Sequence, residues 1–269
     1  MDAPTIVLLH GGPGAHHGYL YPQCLELARS HRVFTYDQRG GGQSKTDDRT
    51  PITWRTQIDD LAQLITEFVL TPLTLVGYSW GALLAMLYSI EAAARTSGPA
   101  AQSPLPSPGK LVLISPAPIT RAWRNEFEGT LADRQRSPQI EAMRAELSAS
   151  GLREHDIDAY RQRAFEISVA GYFADPRRAS ALTPFRVTGR VQQSIWESLG
   201  DFDLRDALRG VHTSVLVVHG RQDPIPLVSA RAAAELLSGE IVVLDDCGHV
   251  PYVEQPQALF NSVETFLTN

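Results

Sequence analysis

Short apolar runs alternate along the chain with longer stretches in which apolar residues recur at every third or fourth position. The runs hold too few polar residues for a half-exposed sheet, and they are typical of buried parallel strands. We predict strands at 5–10, 33–36, 73–78, 110–115, 214–219 and 240–244.

The stretch 53–69 shows the helical pattern most clearly. Its apolar residues would share one face of a helix: Trp54, Ile58, Leu61, Ile65 and Phe68. Alternating strands and helices predict an α/β fold with a doubly wound, mostly parallel sheet and right-handed crossovers. In such sheets the chemistry lies beyond the carboxyl ends of the strands.

Two segments interrupt this alternation. The segment 96–109 is rich in proline and serine, which predicts a flexible surface loop. The segment 116–200 has no strand pattern but several helical stretches, for example 134–148 and 156–170. Because it follows a strand end, we predict a helical lid at 116–200, over a core formed by 1–115 and 201–269.

Composition narrows the classes of partner. The chain has 269 residues, a net charge of −6 and no cluster of basic residues, which argues against nucleic acid and anionic membranes. No stretch approaches the ~20 apolar residues of a membrane span. A small neutral or cationic substrate, or a short peptide, remains open, as does the oligomeric state.

The two cysteines, Cys24 and Cys247, are too few for a disulfide framework. The apolar run 6–9 is too short for a signal peptide and lacks its basic flank. We therefore predict a cytoplasmic protein. Cys247 lies two residues before a histidine, but we interpret it as a small buried residue rather than a nucleophile.

The most informative motif is Gly-Tyr-Ser-Trp-Gly at 77–81. An apolar run precedes it and a helix-forming run follows, which is the setting of a nucleophile elbow. Small residues must flank the serine because the turn is tight. The motif predicts that Ser79 is a nucleophile.

A serine nucleophile needs a base within hydrogen-bond reach and a carboxylate that orients this base. His249 follows the last predicted strand, and Asp223 lies four residues beyond the strand that precedes it. The order Ser79, Asp223, His249 is the order of this fold. Asp245 and Asp246 compete with Asp223, but we assign them to the end of the last strand.

Negative charge on a tetrahedral intermediate needs N–H donors. The N–H of Trp80, the residue after the nucleophile, is one candidate. The glycine-rich loop after the first strand, at 10–14, supplies the other, and we assign it to Gly12. His10 would fix this loop by hydrogen bonding. The sequence has no metal-ligand motif, phosphate loop or dinucleotide fingerprint, so we predict no metal and no cofactor.

Three motifs together resemble the proline iminopeptidase branch of the α/β-hydrolase fold. They are His-Gly-Gly-Pro-Gly at 10–14, Asp-Gln-Arg-Gly-Gly-Gly-Gln-Ser at 37–44 and Gly-Tyr-Ser-Trp-Gly at 77–81. The resemblance implies the triad and oxyanion hole named above, and a substrate that is a short peptide with an uncharged N-terminal residue. Members of that branch usually have two strands before the one predicted at 5–10. This sequence starts almost directly at 5–10, so we expect the same fold with a shortened N-terminus.

In that branch, lid carboxylates hold the free amino group of the substrate. Four glutamates of the predicted lid are candidates by resemblance: Glu126, Glu128, Glu166 and Glu197. Solvated helix surfaces explain most of them without a substrate.

The leading hypothesis is a serine hydrolase that forms an acyl-enzyme on Ser79. Within this class, an aminopeptidase on short peptides or amides competes with a carboxylesterase on small esters, because the same triad serves both. A hypothesis of another class is a receptor that binds a ligand on this fold without turnover.

Overall fold

The structure is a computed structural model that describes residues 3–21, 23–47, 50–97 and 105–269. The described residues form one six-stranded sheet in the order β2-β1-β3-β4-β5-β6, with every neighbouring pair parallel. Its strands are β1 (Thr5–Leu9), β2 (Arg32–Thr35), β3 (Thr74–Tyr78), β4 (Lys110–Ile114), β5 (Ser214–Gly220) and β6 (Glu240–Leu244). The six strands lie at the predicted places.

Helices connect most of the strands, and six of them lie between β4 and β5. They are α1 (Trp54–Glu67), α2 (Trp80–Ser97), α3 (Arg121–Gln135), α4 (Pro138–Ala149), α5 (Leu152–His155), α6 (Ile157–Val169), α7 (Gly189–Leu199), α8 (Arg205–Leu208), α9 (Leu227–Leu236), α10 (Pro251–Glu254) and α11 (Pro256–Thr268). Short 3-10 turns occupy His17–Leu20, Gln23–Arg29, Ala170–Tyr172 and Pro176–Ala181.

Both faces of the sheet are covered. In β1, Val7 and Leu9 pack on the face that holds α1, α2 and α9, whereas Ile6 and Leu8 pack on the opposite face with α11. All four side chains are at most 1% exposed, as expected where successive side chains of a central strand enter two apolar layers. The predicted doubly wound α/β fold is therefore confirmed.

The helix predicted at 53–69 is α1, and it ends two residues early. Thr53 caps its N-terminus by accepting a hydrogen bond from the N–H of Thr56, and Thr56 caps Thr53 in return. At the other end Val69 has a φ of 52°, which a β-branched residue rarely adopts and which a helix does not continue through. Phe68 thus leaves the apolar face and is 54% exposed.

The residues between β4 and β5 are helical from α3 to α7. The helix predicted at 134–148 is in fact two, because α3 ends at Gln135 and α4 begins at Pro138. Ser137 caps α4 by accepting from the N–H of Ile140, and proline suits the first position of a helix but not its interior. The helix predicted at 156–170 is α6, with Asp156 as its cap.

The lid boundary at 116–200 stays a prediction. The loop predicted at 96–109 cannot be followed as a whole, because 98–104 lies outside the described residues. At its start, α2 continues to Ser97, and at its end 105–109 is neither helix nor strand.

Candidate active site

Ser79 lies in a strained turn between β3 and α2. Its φ is 54°, in the left-handed region that costs a non-glycine residue free energy and that clusters at functional sites. Two anchors hold the turn: the Ser79 N–H donates to the carbonyl of Ile114 over 2.9 Å, and the Ser79 carbonyl accepts from the N–H of Ala117 over 3.1 Å. The side chain is thereby fixed above the carboxyl end of the sheet.

The flanking glycines are required by close backbone contacts. A Cβ on Gly77 would lie 2.5 Å from the carbonyl oxygen of Gly81, and a Cβ on Gly81 would lie 2.1 Å from the carbonyl oxygen of Leu9. Atoms cannot approach so closely, so no side chain fits at either position without a backbone shift. This is the physical reason for the glycines in the 77–81 motif.

The structure brings Ser79, His249 and Asp223 into one hydrogen-bonded chain. His249 Nε2 lies 2.9 Å from Ser79 Oγ, and His249 Nδ1 lies 2.9 Å from Asp223 Oδ2. An ionised carboxylate can only accept, so Nδ1 carries the proton and Nε2 presents its lone pair to the serine hydroxyl. The competing Asp245 instead pairs with Arg221 at the surface.

Asp223 is buried but kept ionised by its neighbours. Burial by itself would raise the pKa of this carboxyl, but the attraction of His249 and His219, together with hydrogen bonds from His249 and the N–H of Ile225, brings the pKa below its ordinary value. The bond from Ile225 measures 2.8 Å. Asp223 can therefore hold a proton on His249 at neutral pH.

His219 is a second histidine beside this carboxylate. Its Nε2 donates to the carbonyl of Ile225 over 3.1 Å and lies 3.8 Å from Asp223 Oδ2. Burial lowers the pKa of His219, against the attraction of Asp223. His219 was not assigned a role from the sequence, because a lone histidine at the end of a strand does not indicate which residues it contacts.

The ring of His249 packs between two tyrosines. Its centroid lies 5.3 Å from the ring of Tyr78 on β3 and 5.3 Å from the ring of Tyr172. The Tyr78 hydroxyl donates to the carbonyl of His249 over 3.1 Å, and the His249 N–H donates to the carbonyl of Tyr172 over 2.7 Å. The imidazole is thus held by aromatic contacts and by its own backbone.

Glu254 fastens the loop that carries His249. One carboxylate oxygen accepts from the N–H of Gly248 over 2.7 Å and the other from the N–H of Ala174 over 2.8 Å. Glu254 is 3% exposed, and burial raises its pKa against these two bonds. This positioning residue was missed from the sequence, where its place after the proline of α10 reads only as a helix start.

The loop at 10–14 lies against the nucleophile. A Cβ on Gly11 would be 2.9 Å from Ser79 Cβ, and the Gly11 N–H donates to the hydroxyl of Tyr19 over 2.9 Å. Gly12 has a φ of 62°, a conformation that glycine adopts at no steric cost. Trp80 is the first residue of α2, so its N–H has no acceptor within that helix.

A buried network ties this loop to Trp80. His10 Nδ1 donates to the carbonyl of Gly11 over 3.0 Å, and its Nε2 accepts from the N–H of Gln38 over 3.1 Å. The Gln38 side chain donates to the carbonyl of His10 and accepts from Trp80 Nε1, both over 2.8 Å. These bonds place the two candidate oxyanion donors in one rigid frame, and Gln38 was not singled out from the sequence.

A cavity of about 490 Å³ opens above Ser79 and His249. This volume suits a small ligand. Nine of the residues that line it are aromatic: Tyr19, Tyr78, Trp80, Phe127, Phe165, Tyr172, Phe185, Trp196 and Tyr252. Gly12 and Trp80 line it as well, so the serine, the base and both candidate donors share one apolar chamber.

Of the four candidate lid glutamates, Glu128 lines this cavity, where it pairs with Arg124 over 2.5 Å. Glu166 is buried elsewhere and accepts from Arg163 over 2.5 Å and from Gln162 over 3.0 Å. Glu126 and Glu197 lie exposed on helix surfaces and do not line the cavity. The structure therefore does not bring the four carboxylates together.

Arg124 was not singled out from the sequence, although it also lines the cavity. Its guanidinium stacks on the ring of Trp196, 3.5 Å from the centroid. An arginine four residues before a glutamate in a helix has the pattern of a surface ion pair. Only the fold reveals that this pair faces the nucleophile.

The described part of the chain was also searched for membrane-spanning helices and metal sites. No helix there is long and apolar enough to cross a membrane. No group of three or more histidine, cysteine, aspartate or glutamate side chains in those ranges is placed to hold a metal ion. Cys247 is free and buried, and burial raises the pKa of its thiol, which fits the interpretation as a packing residue.

Comparisons with known proteins show which sequences and folds this chain is similar to. The chain is 26% identical over 268 residues to the proline iminopeptidase of Lactobacillus helveticus (strain DPC 4571), covering 94% of this chain and 86% of the relative. The crystal structure of a proline iminopeptidase from Mycobacterium smegmatis superposes with a TM-score of 0.68 at 19% identity, covering 99% and 91% of the two chains.

Similar folds also serve other activities. A bromoperoxidase from Bacillus anthracis superposes with a TM-score of 0.68 at 18% identity, covering 100% of this chain and 93% of the other. At such identities the likeness shows the fold and leaves the substrate open. Residues 6–262 match the sequence model of the alpha/beta hydrolase family. This chain is therefore a member of the alpha/beta hydrolase family.

Proposed function

We propose that this chain is a serine hydrolase that works through an acyl-enzyme on Ser79, acting as an aminopeptidase on short peptides or amides. The observation that carries the proposal is the chain of two 2.9 Å hydrogen bonds from Ser79 through His249 to Asp223. It supports the reaction type, and the proline iminopeptidase relatives support the substrate class.

In the first half-reaction, Ser79 Oγ attacks the substrate carbonyl while its proton passes to His249 Nε2. Asp223 holds the other ring proton and stabilises the imidazolium. The N–H groups of Gly12 and Trp80 donate to the carbonyl oxygen as it gains negative charge, which can lower the barrier by about 3 kcal/mol per donor. His249 then gives its proton to the leaving nitrogen, and the acyl group remains on Ser79.

In the second half-reaction, water attacks the acyl-enzyme and loses its proton to His249. The acid product leaves when His249 returns the proton to Ser79 Oγ. The aromatic wall of the cavity suits the methylene groups of a proline ring, because a flat apolar surface gains contact area with them without needing polar partners.

The second candidate function is a carboxylesterase on small esters. The observation that favours it is the state of the lid carboxylates: Glu128 lies in the cavity but is paired with Arg124, and the other three candidates lie outside it. An aminopeptidase needs a carboxylate that is free to bind the substrate's ammonium group.

The deciding experiment compares turnover of Pro-p-nitroanilide with that of p-nitrophenyl acetate and butyrate, with Ser79→Ala as the blank. Efficient cleavage of the anilide supports the aminopeptidase. Cleavage of the esters alone supports the carboxylesterase. Ser79→Ala should abolish both activities, and unchanged turnover in this variant contradicts the proposed mechanism.

A fluorophosphonate probe distinguishes an enzyme from a receptor. We expect covalent labelling of Ser79 together with many turnovers of the activated ester. Labelling without sustained turnover would instead favour a ligand-binding protein that has kept the triad.

A further inference from the structure

Arg124 places a poorly hydrated positive charge in the wall of the cavity that holds Ser79. Its side chain is only 13% exposed. Removing a guanidinium from water costs free energy unless anionic partners and hydrogen bonds compensate for it. The partners of this one residue therefore indicate what the cavity binds.

The compensation within the described residues is incomplete. Glu128 pairs with Arg124 Nη2, but its side chain is 51% exposed, so water screens much of this attraction. Arg124 Nε is buried and has no hydrogen-bond partner among the residues that the structure describes. Burial lowers the pKa of Arg124, yet a guanidinium stays charged in proteins.

The position of the guanidinium is well fixed. It stacks on Trp196 at 3.5 Å, and the Trp196 ring meets the ring of Trp80 edge to face, with centroids 5.3 Å apart. Trp80 is the residue after the nucleophile. Because these rings hold Arg124 in place relative to Ser79, a ligand that binds there loses less free energy to ordering.

A second cavity of about 840 Å³ adjoins the first, and more positive than negative side chains line it. The two share the side chains Phe165, Phe185 and Val187. The charged residues that line the second are Lys45, Asp158, Arg161 and Arg186. Three cations face one carboxylate there, although the whole chain carries a net charge of −6, and such a surface attracts anions.

We propose that Arg124 binds a carboxylate of the substrate, so that the enzyme prefers small esters or amides that combine an apolar body with one carboxylate. The inference rests on the proposed function for its reaction and adds the substrate class. Glu128 contacts the guanidinium at Nη2. When substrate binds, the substrate's carboxylate completes or replaces that contact, and the exposed Glu128 turns to water.

The test uses pairs of esters that differ in one charge. On the acyl side, 4-nitrophenyl hydrogen adipate is compared with 4-nitrophenyl methyl adipate. On the leaving-group side, 4-butyryloxybenzoate is compared with its methyl ester. For each pair, the ratio of kcat/KM for the acid to kcat/KM for the neutral ester measures the preference for a carboxylate.

Arg124→Met removes the charge but keeps an apolar side chain, and Arg136→Met removes an equal charge from a surface ion pair at the end of α3. Hydrogen bonds to charged groups suggest that Arg124→Met should lower the ratio roughly tenfold to hundredfold in at least one pair, whereas Arg136→Met should keep it. Equal ratios in the wild type and Arg124→Met for both pairs would overturn the proposal.

Glu128→Gln gives a test that does not depend on the folding of the arginine variant. Removing its negative charge leaves Arg124 without a competing carboxylate, so the ratio should rise a few-fold. A fall in the ratio would contradict the proposal, because it would show that Glu128 does not compete with the substrate's carboxylate for Arg124.

Failure of the proposed function can be separated from failure of this inference. If the wild type cleaves neither these esters nor Pro-p-nitroanilide, the proposed function is wrong, but adipate and benzoate binding can still be measured by titration calorimetry. A Kd raised about tenfold or more in Arg124→Met, and not in Arg136→Met, supports the carboxylate site. Equal Kd values for both anions in all three proteins exclude it.

Discussion

The floor of the candidate active site and the predicted lid differ in how completely their polar groups are hydrogen-bonded. The floor consists of Ser79, Asp223, His249 and the loop at 10–14, and each triad member has a partner at 2.9 Å. In the lid, α3 has no buried residue, and Arg124 keeps a buried N–H without a partner in the described structure. Under the proposed function, this difference means that the floor fixes the reaction, whereas the predicted lid sets what is bound.

The largest effect on activity is expected from a substitution of Asp223. Asp223→Asn should lower kcat/KM for p-nitrophenyl butyrate by roughly 10³- to 10⁴-fold, because an amide no longer fixes the His249 tautomer or stabilises the imidazolium. Asp245→Asn is the matched control, since Asp245 pairs with Arg221 at the surface. Equal losses in the two variants would contradict the assignment.

The next largest effect is on stability, and it differs between Gly81, beside Ser79, and Gly129 in the predicted lid. Gly81→Ala should destabilise the fold by about 3 kcal/mol, because the new Cβ would lie 2.1 Å from the carbonyl oxygen of Leu9. Gly129→Ala should stabilise it by about 1 kcal/mol, because Gly129 lies within α3 with no atom near its Cβ position. Urea unfolding measures both, and changes of the same sign would break the comparison.

A smaller effect concerns the pH dependence of stability. Burial lowers the pKa of His10 to about 4 in the folded protein, against about 6.5 in the unfolded chain. Between these values only the unfolded state binds the proton, so stability falls as the pH falls through this window. From pH 7.5 to 5, His10 should account for a loss of about 2 kcal/mol.

Urea unfolding of His10→Asn at both pH values checks this expectation. The variant should lose less stability between pH 7.5 and 5 than the wild type does. The exposed His212 offers the control, because His212→Asn should keep the wild-type slope. If His10→Asn keeps the slope as well, His10 does not remain neutral in the folded protein.

The smallest effect is expected on the outer surface of the lid. Glu197 is exposed, accepts from Gln193 over 2.7 Å and lies outside the cavity. Glu197→Gln should change stability by less than about 0.5 kcal/mol, and Pro-p-nitroanilide turnover should stay the same. A large loss of turnover would show that lid carboxylates outside the cavity reach the substrate.

The same contrast explains what the sequence could predict. Strand runs and the 77–81 motif are local patterns, and parallel strands bring their carboxyl ends to one edge, so Ser79, Asp223 and His249 could be placed together without knowing any distance. The sequence explains the glycine at position 81 by the tight turn. The packed structure adds a second reason, because a side chain there would collide with the carbonyl of Leu9.

Which side chains of the predicted lid face the cavity could not be predicted in this way. Along α3, Arg124 and Glu128 are four residues apart, a spacing that solvated helix surfaces share. Whether such a pair faces water or a cavity depends on how the helix is rotated over the sheet, which no short pattern encodes. Glu166 shows the reverse case, because a glutamate expected in the site is buried against Arg163 instead.

The bond from the His249 N–H to the carbonyl of Tyr172 has a consequence for the timing of catalysis. Tyr172 and Ala174 belong to the segment between α6 and α7. Tyr172 accepts from the N–H of His249, and Ala174 donates to Glu254, whose other oxygen accepts from Gly248 in the loop that carries the base. A swing of this corner away from the sheet would take the base with it or break its support. Under the proposed function, opening at this corner would disturb the base, so we expect substrate to enter past another part of the rim.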